Sequence, residues 1–277
     1  MTIDLDYSGR HVFVFGGTTG INFGVAQAFA RQGAAVTVAS RSEDNVNAAA
    51  TALGEQGAPV LGVCADVRNF DAVGQALEQA VARFGPLDVL VSGAAGNFLC
   101  EAGGMSSNGF RTVVDIDLVG TFHVMRQAHR HLRRPGGSVI NITAPQASIP
   151  MRYQAHCGAA KAGVDQLTRI LALEWGAEGL RINAISPGPI EGTEGVRRLM
   201  APSDEARRAA VDAVPLKRLG TLHDIANLAL FLGSPHAGYI SGAVIPCDGG
   251  GALESVKPTL EAAGRAAAAS AGRAQGT

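Results

Sequence analysis

Glycines carry the first recognisable chemistry in this chain. The apolar run His11–Phe15 (HVFVF) leads straight into Gly16-Gly17-Thr18-Thr19-Gly20-Ile21. Glycines let a backbone turn sharply and approach a pyrophosphate, whose charge then meets the amides at a helix N-terminus. A glycine run alone is equally an ordinary turn. Its place between a strand pattern and a helix pattern favours the phosphate reading. Asn22 stands where a third glycine is expected, with Gly24 two positions later. Asn tolerates unusual backbone angles, so the loop need not fail. The second apolar run ends Ala39-Ser40-Arg41. A site for NAD usually places an acid there to accept from the ribose 2′-hydroxyl. Ser40 removes that acid, and Arg41 offers a fork that suits a 2′-phosphate. The pattern therefore predicts NADPH, although a solvated arginine after a strand is the plain alternative. Asp66, closing the third apolar run, is a candidate acceptor for the adenine amino group or a simple helix N-cap.

Other chemistries find no support. The four cysteines (Cys64, Cys100, Cys157 and Cys247) form no C-x-x-C pair, and the seven histidines show no H-x-x-x-H spacing. No metal site or disulfide framework is expected, and the cysteine usage fits a reducing cytosol. The formal net charge is -1. Such a balance gives no global field for nucleic acid or an anionic membrane. Met1–Arg10 carries Asp4 and Asp6 and no apolar run, so it does not read as a signal peptide. No apolar run approaches the ~18 residues of a membrane span. The chain ends Gln-Gly-Thr, unlike a Ser-Lys-Leu address. A cytoplasmic location is the expectation.

The elements that must position these residues alternate in type. With 47% hydrophobic and 17% charged residues, the chain can bury a large core. Strand patterns fall at His11–Phe15, Ala35–Ala39, Pro59–Val63, Leu87–Ser92, Ser138–Ile142, Arg181–Ser186 and Ala243–Pro246. Helical spacing falls at Ile21–Gln32, Ser42–Gln56, Phe70–Phe84, about Asn108–Leu132, Gln154–Ala177 and Leu222–Leu232. This alternation predicts one α/β domain, a Rossmann-type doubly wound parallel sheet of seven strands. The domain is expected over residues 1–252, with a charged, alanine-rich flap at about 191–214 and an Ala/Gly-biased tail over 253–277.

Gly16–Gly20, Asp66-Val67, Ala94-Ala95-Gly96, Lys161-Ala-Gly, Pro187-Gly188 and Asp248-Gly249-Gly250 together resemble the short-chain dehydrogenase/reductase family, over roughly residues 8–252. In that family an Asn-Ser-Tyr-Lys tetrad reduces carbonyls. Lys161 matches its Lys, but Cys157, Ala144 and Asp117 stand at the Tyr, Ser and Asn positions, and Tyr153 is out of register by four. A carbonyl reductase needs a proton donor at oxygen, worth roughly 10²–10⁴ in rate. Hydride addition to a conjugated C=C can leave the oxygen as an enolate and protonate carbon later. The departures thus point away from alcohol chemistry.

A narrower resemblance agrees. Ala94–Cys100 (AAGNFLC), Asp115-Ile116-Asp117 with Gly120-Thr121-Phe122, Pro187–Ile190 and Gly192–Arg198 resemble the 2,4-dienoyl-CoA reductases. The peroxisomal branch is nearer, because the mitochondrial type has a Tyr where this chain has Gln146. The peroxisomal type relies on an Asp–Lys pair, matched by Asp117 and Lys161. The resemblance implies NADPH contacts at Gly16, Gly17, Thr18, Thr19, Gly20, Ile21, Arg41, Asp66, Lys161, Pro187, Gly188, Pro189, Ile190 and Thr193. It implies an acyl-CoA thioester held by Arg68, Phe98, Ser106, Ser107, Asn108 and Arg198, with the arginines on CoA phosphates. It also implies a homotetramer. Cys157 reads as a small buried hydrophobe and His156 as a helix-surface residue. Two rival readings stay open. One is a reductase of another activated alkene or carbonyl with Cys157 or His156 as acid. The other is a non-catalytic dinucleotide-binding scaffold.

Overall fold

The computed structural model describes residues 5–197 and 203–254. Seven parallel strands lie in the order β3-β2-β1-β4-β5-β6-β7. They are β1 His11–Phe15, β2 Ala35–Ser40, β3 Val60–Cys64, β4 Val89–Ser92, β5 Ser138–Ile142, β6 Arg181–Pro187 and β7 Val244–Cys247. The helices are α1 Gly20–Arg31, α2 Glu43–Gly54, α3 Phe70–Phe84, α4 Ser107–Val114, α5 Gly120–Ala128, α6 Ala155–Trp175, α7 Asp204–Asp212, α8 Leu222–Gly233 and the short α9 Gly251–Glu254.

β1, β4 and β5 are buried along their whole length, which is why they read as unbroken apolar runs. Successive side chains of a strand face opposite sides of a sheet. Val12 and Val14 accordingly join one core with Phe29 and Ile225, while Phe13 and Phe15 join the other with Leu77 and Met125. Helices cover both faces, giving three layers. Capping fixes several helix starts. Ser42 accepts from the Asn45 amide, Asn69 from the Asp71 and Ala72 amides, and Thr221 forms a reciprocal box with Asp224.

The strand order reverses between β1 and β4, and ligands of such sheets bind beyond the carboxyl ends at that point. The expected seven-stranded α/β architecture is therefore present. One expected element differs. The long helix over Asn108–Leu132 is not regular: a π turn, Asp115–Val119, joins α4 to α5, with the Gly120 amide donating five residues back to the Asp115 carbonyl. Thr121 donates its hydroxyl to the Asp117 carbonyl at 2.7 Å inside that turn. Extra residues of this kind recur at functional sites because they re-aim a side chain. The tail from residue 255 onward lies outside the described residues.

Candidate functional site

A cavity of about 570 Å³ opens at the switch point, between Gly16, Thr18, Arg41, Asp66, Gly93 and Ala94. Gly16 and Gly20 take positive φ angles of 71° and 56°, which glycine alone adopts freely. A side chain at Gly16 would lie 2.8 Å from the Ala94 backbone, so the loops after β1 and β4 must touch through glycine. Thr19 starts α1 without a side-chain cap, unlike Ser42, Asn69 and Thr221. The first amides of α1 thus stay available to an anion. Asn22 explains its own departure from glycine. Its Nδ2 donates to the Gly93 carbonyl at 2.7 Å and pins the end of β4. The close-packing glycine is Gly24 instead, where a side chain would meet Leu222 of α8 at 2.8 Å.

Ser40, Arg41, Ser42 and Asn45 line the far end of the same cavity. No acid stands among them, and Arg41 is exposed. This donor set fits the phosphate and ribose groups of a dinucleotide. Neither Ser42 nor Asn45 was singled out from the sequence. Asp66 is not the cap of α3, which is Asn69. Its carboxylate instead accepts from Arg68 Nε at 3.0 Å and Nη2 at 2.5 Å, and this pairing holds its pKa below the usual carboxylate range. Arg68 is therefore bound to the wall of this cavity.

The expected catalytic residues lie where β4, the π turn and α6 meet. Asp117 is 1% exposed and Lys161 is 5% exposed. Asp117 Oδ1 accepts from the Gly96 amide at 2.7 Å, and Oδ2 faces Lys161 Nζ at 3.4 Å. That second oxygen makes no hydrogen bond among the described residues. Lys161 also donates to the Ile142 carbonyl at 3.0 Å. A buried carboxylate with one oxygen paired only electrostatically can still accept from a water.

Cys157 is a small buried group, as expected, and burial pushes its thiol up to about 11. His156 is a correction. It is not on the helix surface but fully buried, its ring 4.3 Å from that of Phe98. Neither ring nitrogen makes a well-formed hydrogen bond among the described residues. Burial lowers its pKa more than Asp117 and the Phe98 carbonyl raise it. Nothing local to His156 marks its burial, because the loop that covers it is distant along the chain.

Phe98 lies between His156 and Gly109, so the loop after β4 is clamped against α4 and α6. Gln154 tightens the clamp: its Oε1 accepts from Asn97 at 2.8 Å and its Nε2 donates to the Phe98 carbonyl at 3.2 Å. Gln154 was not singled out from the sequence, and Asn97 entered only within the AAGNFLC motif. Ser106 caps α4 by accepting from the Gly109 amide, and Ser107 and Asn108 are exposed in its first turn. After β6, Pro187 and Gly188 lead to Pro189 and buried Ile190, and Thr193 donates to the Ile190 carbonyl at 2.7 Å. A side chain on Gly188 would strike the Asp248 backbone at 2.6 Å. Arg198 lies outside the described residues. No cluster of metal-ligating side chains occurs among the described residues.

A larger cavity, about 830 Å³, lies at the opposite end of the sheet beside Arg10, Arg133 and Arg181. Arg133 is paired with Asp88, and Arg181 donates to the Ser234 carbonyl at the end of α8. No reaction chemistry gathers there.

A family model described as Enoyl-(Acyl carrier protein) reductase matches residues 16–252. The chain is 46% identical over 240 residues to the peroxisomal 2,4-dienoyl-CoA reductase [(3E)-enoyl-CoA-producing] of Pongo abelii, covering 86% of this chain and 82% of that protein. It is 40% identical to the probable 2,4-dienoyl-CoA reductase [(2E)-enoyl-CoA-producing] of Bacillus subtilis (strain 168), covering 87% and 96%. Among solved structures, a short chain dehydrogenase from Bacillus anthracis aligns with a TM-score of 0.79 at 36% identity, covering 88% of this chain and 96% of that one. The chain belongs to the short-chain dehydrogenase/reductase family. That membership implies a nicotinamide dinucleotide cofactor and an oxidoreductase activity. Within the family, the relatives it matches carry the name 2,4-dienoyl-CoA reductase.

Proposed function

We propose that this chain is an NADPH-dependent 2,4-dienoyl-CoA reductase that yields a 3-enoyl-CoA. The observation that carries the reading is the Asp117–Lys161 pair, buried beside Cys157 with no hydroxyl at the Tyr and Ser positions. NADPH, when bound, supplies a hydride to the far end of the diene. Gly16–Ile21 would hold its pyrophosphate, Arg41 its 2′-phosphate, Asp66 its adenine, and Lys161 with Pro187–Thr193 the nicotinamide half.

The chain's own residues then manage a proton. Electron density moves to the thioester oxygen as a dienolate. Asp117 accepts a hydrogen bond from a water, and Lys161 donates one, so that a proton points at the α-carbon. Its transfer leaves the double bond at carbon 3, whereas transfer to the γ-carbon would leave it at carbon 2. Donors at the thioester oxygen are each worth roughly 3–4 kcal/mol. Phe98 and the exposed start of α4, with Ser106, Ser107 and Asn108, would receive the acyl-CoA. Arg68 and Arg198 would meet CoA phosphates, Arg68 by leaving or sharing Asp66.

The rival acids fit less well. A thiol that is 3% exposed with a pKa of about 11 is a weak donor, and a fully buried imidazole cannot reach a substrate without moving Phe98. A homotetramer is part of the proposal, as is a cytosolic location. All four cysteines are free, which suits a reducing compartment. No helix among the described residues is long and apolar enough to cross a membrane.

The test is NADPH oxidation with 2,4-hexadienoyl-CoA beside a panel of ketones and 2-enoyl-CoAs. Selective turnover of the dienoyl thioester, with deuterium from D₂O at the α-carbon, is the expected result. Turnover of ketones alone overturns the reading, and label at the γ-carbon overturns the 3-enoyl product.

A further inference from the structure

The cavity of about 830 Å³ at the amino ends of the strands takes no part in the proposed reaction. Three arginines line it: Arg10 before β1, Arg133 in the loop before β5, and Arg181 at the start of β6. Asp88, just before β4, is the one acid among the described lining residues. Its carboxylate is already in use. Oδ1 accepts from Arg133 Nε at 2.6 Å, and Oδ2 accepts from Arg133 Nη2 at 3.3 Å and from the His11 amide at 2.9 Å. Asp88 therefore neutralises Arg133 and leaves Arg10 and Arg181.

These two guanidinium groups converge on Tyr7. Arg10 Cζ lies 5.5 Å from the centre of the Tyr7 ring, and the charges of both arginines act on the Tyr7 hydroxyl. Arg10 also feels Asp6, which is exposed and outside the lining. Arg181 is the more exacting case. It is partly buried, and Nη2 donates to the Ser234 carbonyl at 3.1 Å, but Nη1 has no partner among the described residues. No described carboxylate supports its charge: burial pulls its pKa down, opposed only by Tyr7. Drawing a cation partly out of water is costly unless it is paired. An anion in the cavity supplies that pair, and the arginine fork suits phosphate oxygens.

Size and lining narrow the anion. Two positive charges that Asp88 does not reach favour a doubly charged group, such as a phosphate monoester, over a single carboxylate. The volume suits a whole small molecule rather than one inorganic ion. Tyr239 lines the cavity, fully exposed, and offers an aromatic face to a ring. The Ser241 hydroxyl, also in the lining, accepts from the Ile182 amide at 3.3 Å and keeps its own proton to donate. We propose that this cavity binds a nucleoside monophosphate, with the phosphate at Arg10 and Arg181 and the base against Tyr239. The cavity beside Gly16 opens at the other end of the sheet, so both can be filled at once. This inference does not depend on the dienoyl-CoA reading.

The experiment titrates AMP into the full chain saturated with NADPH, by calorimetry at low salt, so that the cavity beside Gly16 is already filled. One AMP should bind per chain, and more weakly as salt rises. Arg10→Gln and Arg181→Gln should each weaken AMP by about tenfold or more, through loss of a charge-assisted hydrogen bond. Tyr239→Ser should weaken it several-fold. NADPH affinity should stay within about twofold in all three variants, which shows that each is folded. Wild type that takes no AMP up to about 10 mM overturns the site. So does unchanged affinity in Arg10→Gln, whose partly exposed position decides the matter even if Arg181→Gln does not fold. A loss caused by Arg41→Ala and not by Arg10→Gln puts AMP in the cavity beside Gly16 and also overturns the site. Unchanged AMP affinity in Tyr239→Ser overturns the nucleoside assignment.

Discussion

Asp117 and Lys161 touch through one carboxylate oxygen, while the other is spent on the Gly96 amide. In the proposed mechanism this division separates two jobs, holding the loop after β4 and holding a water. Asp117→Ala removes both and should lower kcat roughly 10²-fold while leaving NADPH affinity nearly constant, as stopped-flow and fluorescence titration would show. Near-normal kcat on a dienoyl-CoA would exclude the water-holding role. Cys157→Ala should leave kcat within about threefold, since its buried thiol is a poor acid. Loss of all turnover in that variant would restore the thiol as donor. At the other end of the cavity, Arg41→Ala should weaken NADPH by about tenfold or more, because charge-assisted hydrogen bonds contribute about 1.5–3 kcal/mol. NADH binding should barely change. Equal losses for both cofactors would remove Arg41 from the 2′-phosphate site.

Among the elements, α8 has the most complete N-terminal cap. Thr221 and Asp224 cap each other's backbone, and Arg218 donates to both Asp224 oxygens at 2.8 and 2.9 Å. Thr221→Ala should cost about 1 kcal/mol, or roughly 2–4 °C in Tm for a chain of this size. The Arg218 guanidinium and the Thr221 amide hold the Asp224 carboxyl well below the usual carboxylate range. A depressed folded pKa contributes stability above the unfolded value, near 4, that is lost as pH falls. Asp224→Asn should therefore be less stable than wild type at neutral pH, with the gap closing as the solution is acidified. A gap constant with pH would assign the effect to packing. The π turn matters equally to the proposed function. It carries Asp117 in the middle of an otherwise regular helix, and Gly120 follows because a side chain there would meet Val67 at 2.6 Å.

The whole molecule leaves apolar side chains on the outer faces of the helices whose inner faces carry Asp117 and Lys161. Leu173 is 84% exposed, Phe122 45% and Ile170 41%. The proposed homotetramer would cover these side chains. Leu173→Glu should shift light-scattering mass toward smaller species, with loss of activity following loss of assembly. A wild-type chain that is monomeric at all concentrations would end the tetramer proposal.

The sequence by itself determined the fold and the glycine turn after β1. β1, β4 and β5 are buried on both faces and so read as continuous apolar runs, and the glycines at Gly16 and Gly20 mark backbone angles that other residues resist. Both signals are local, which is why they survive without a structure. The Cys157, Ala144 and Asp117 substitutions were equally legible, since they concern residue type at fixed spacing. What only the tertiary structure decided depends on partners far along the chain. His156 is buried because Phe98, 58 residues earlier in sequence, covers it. Asn22 is not a failed glycine because Gly93 needs its amide. Arg68 is tied to the cavity wall by the orientation of Asp66, a geometry that composition and spacing do not encode.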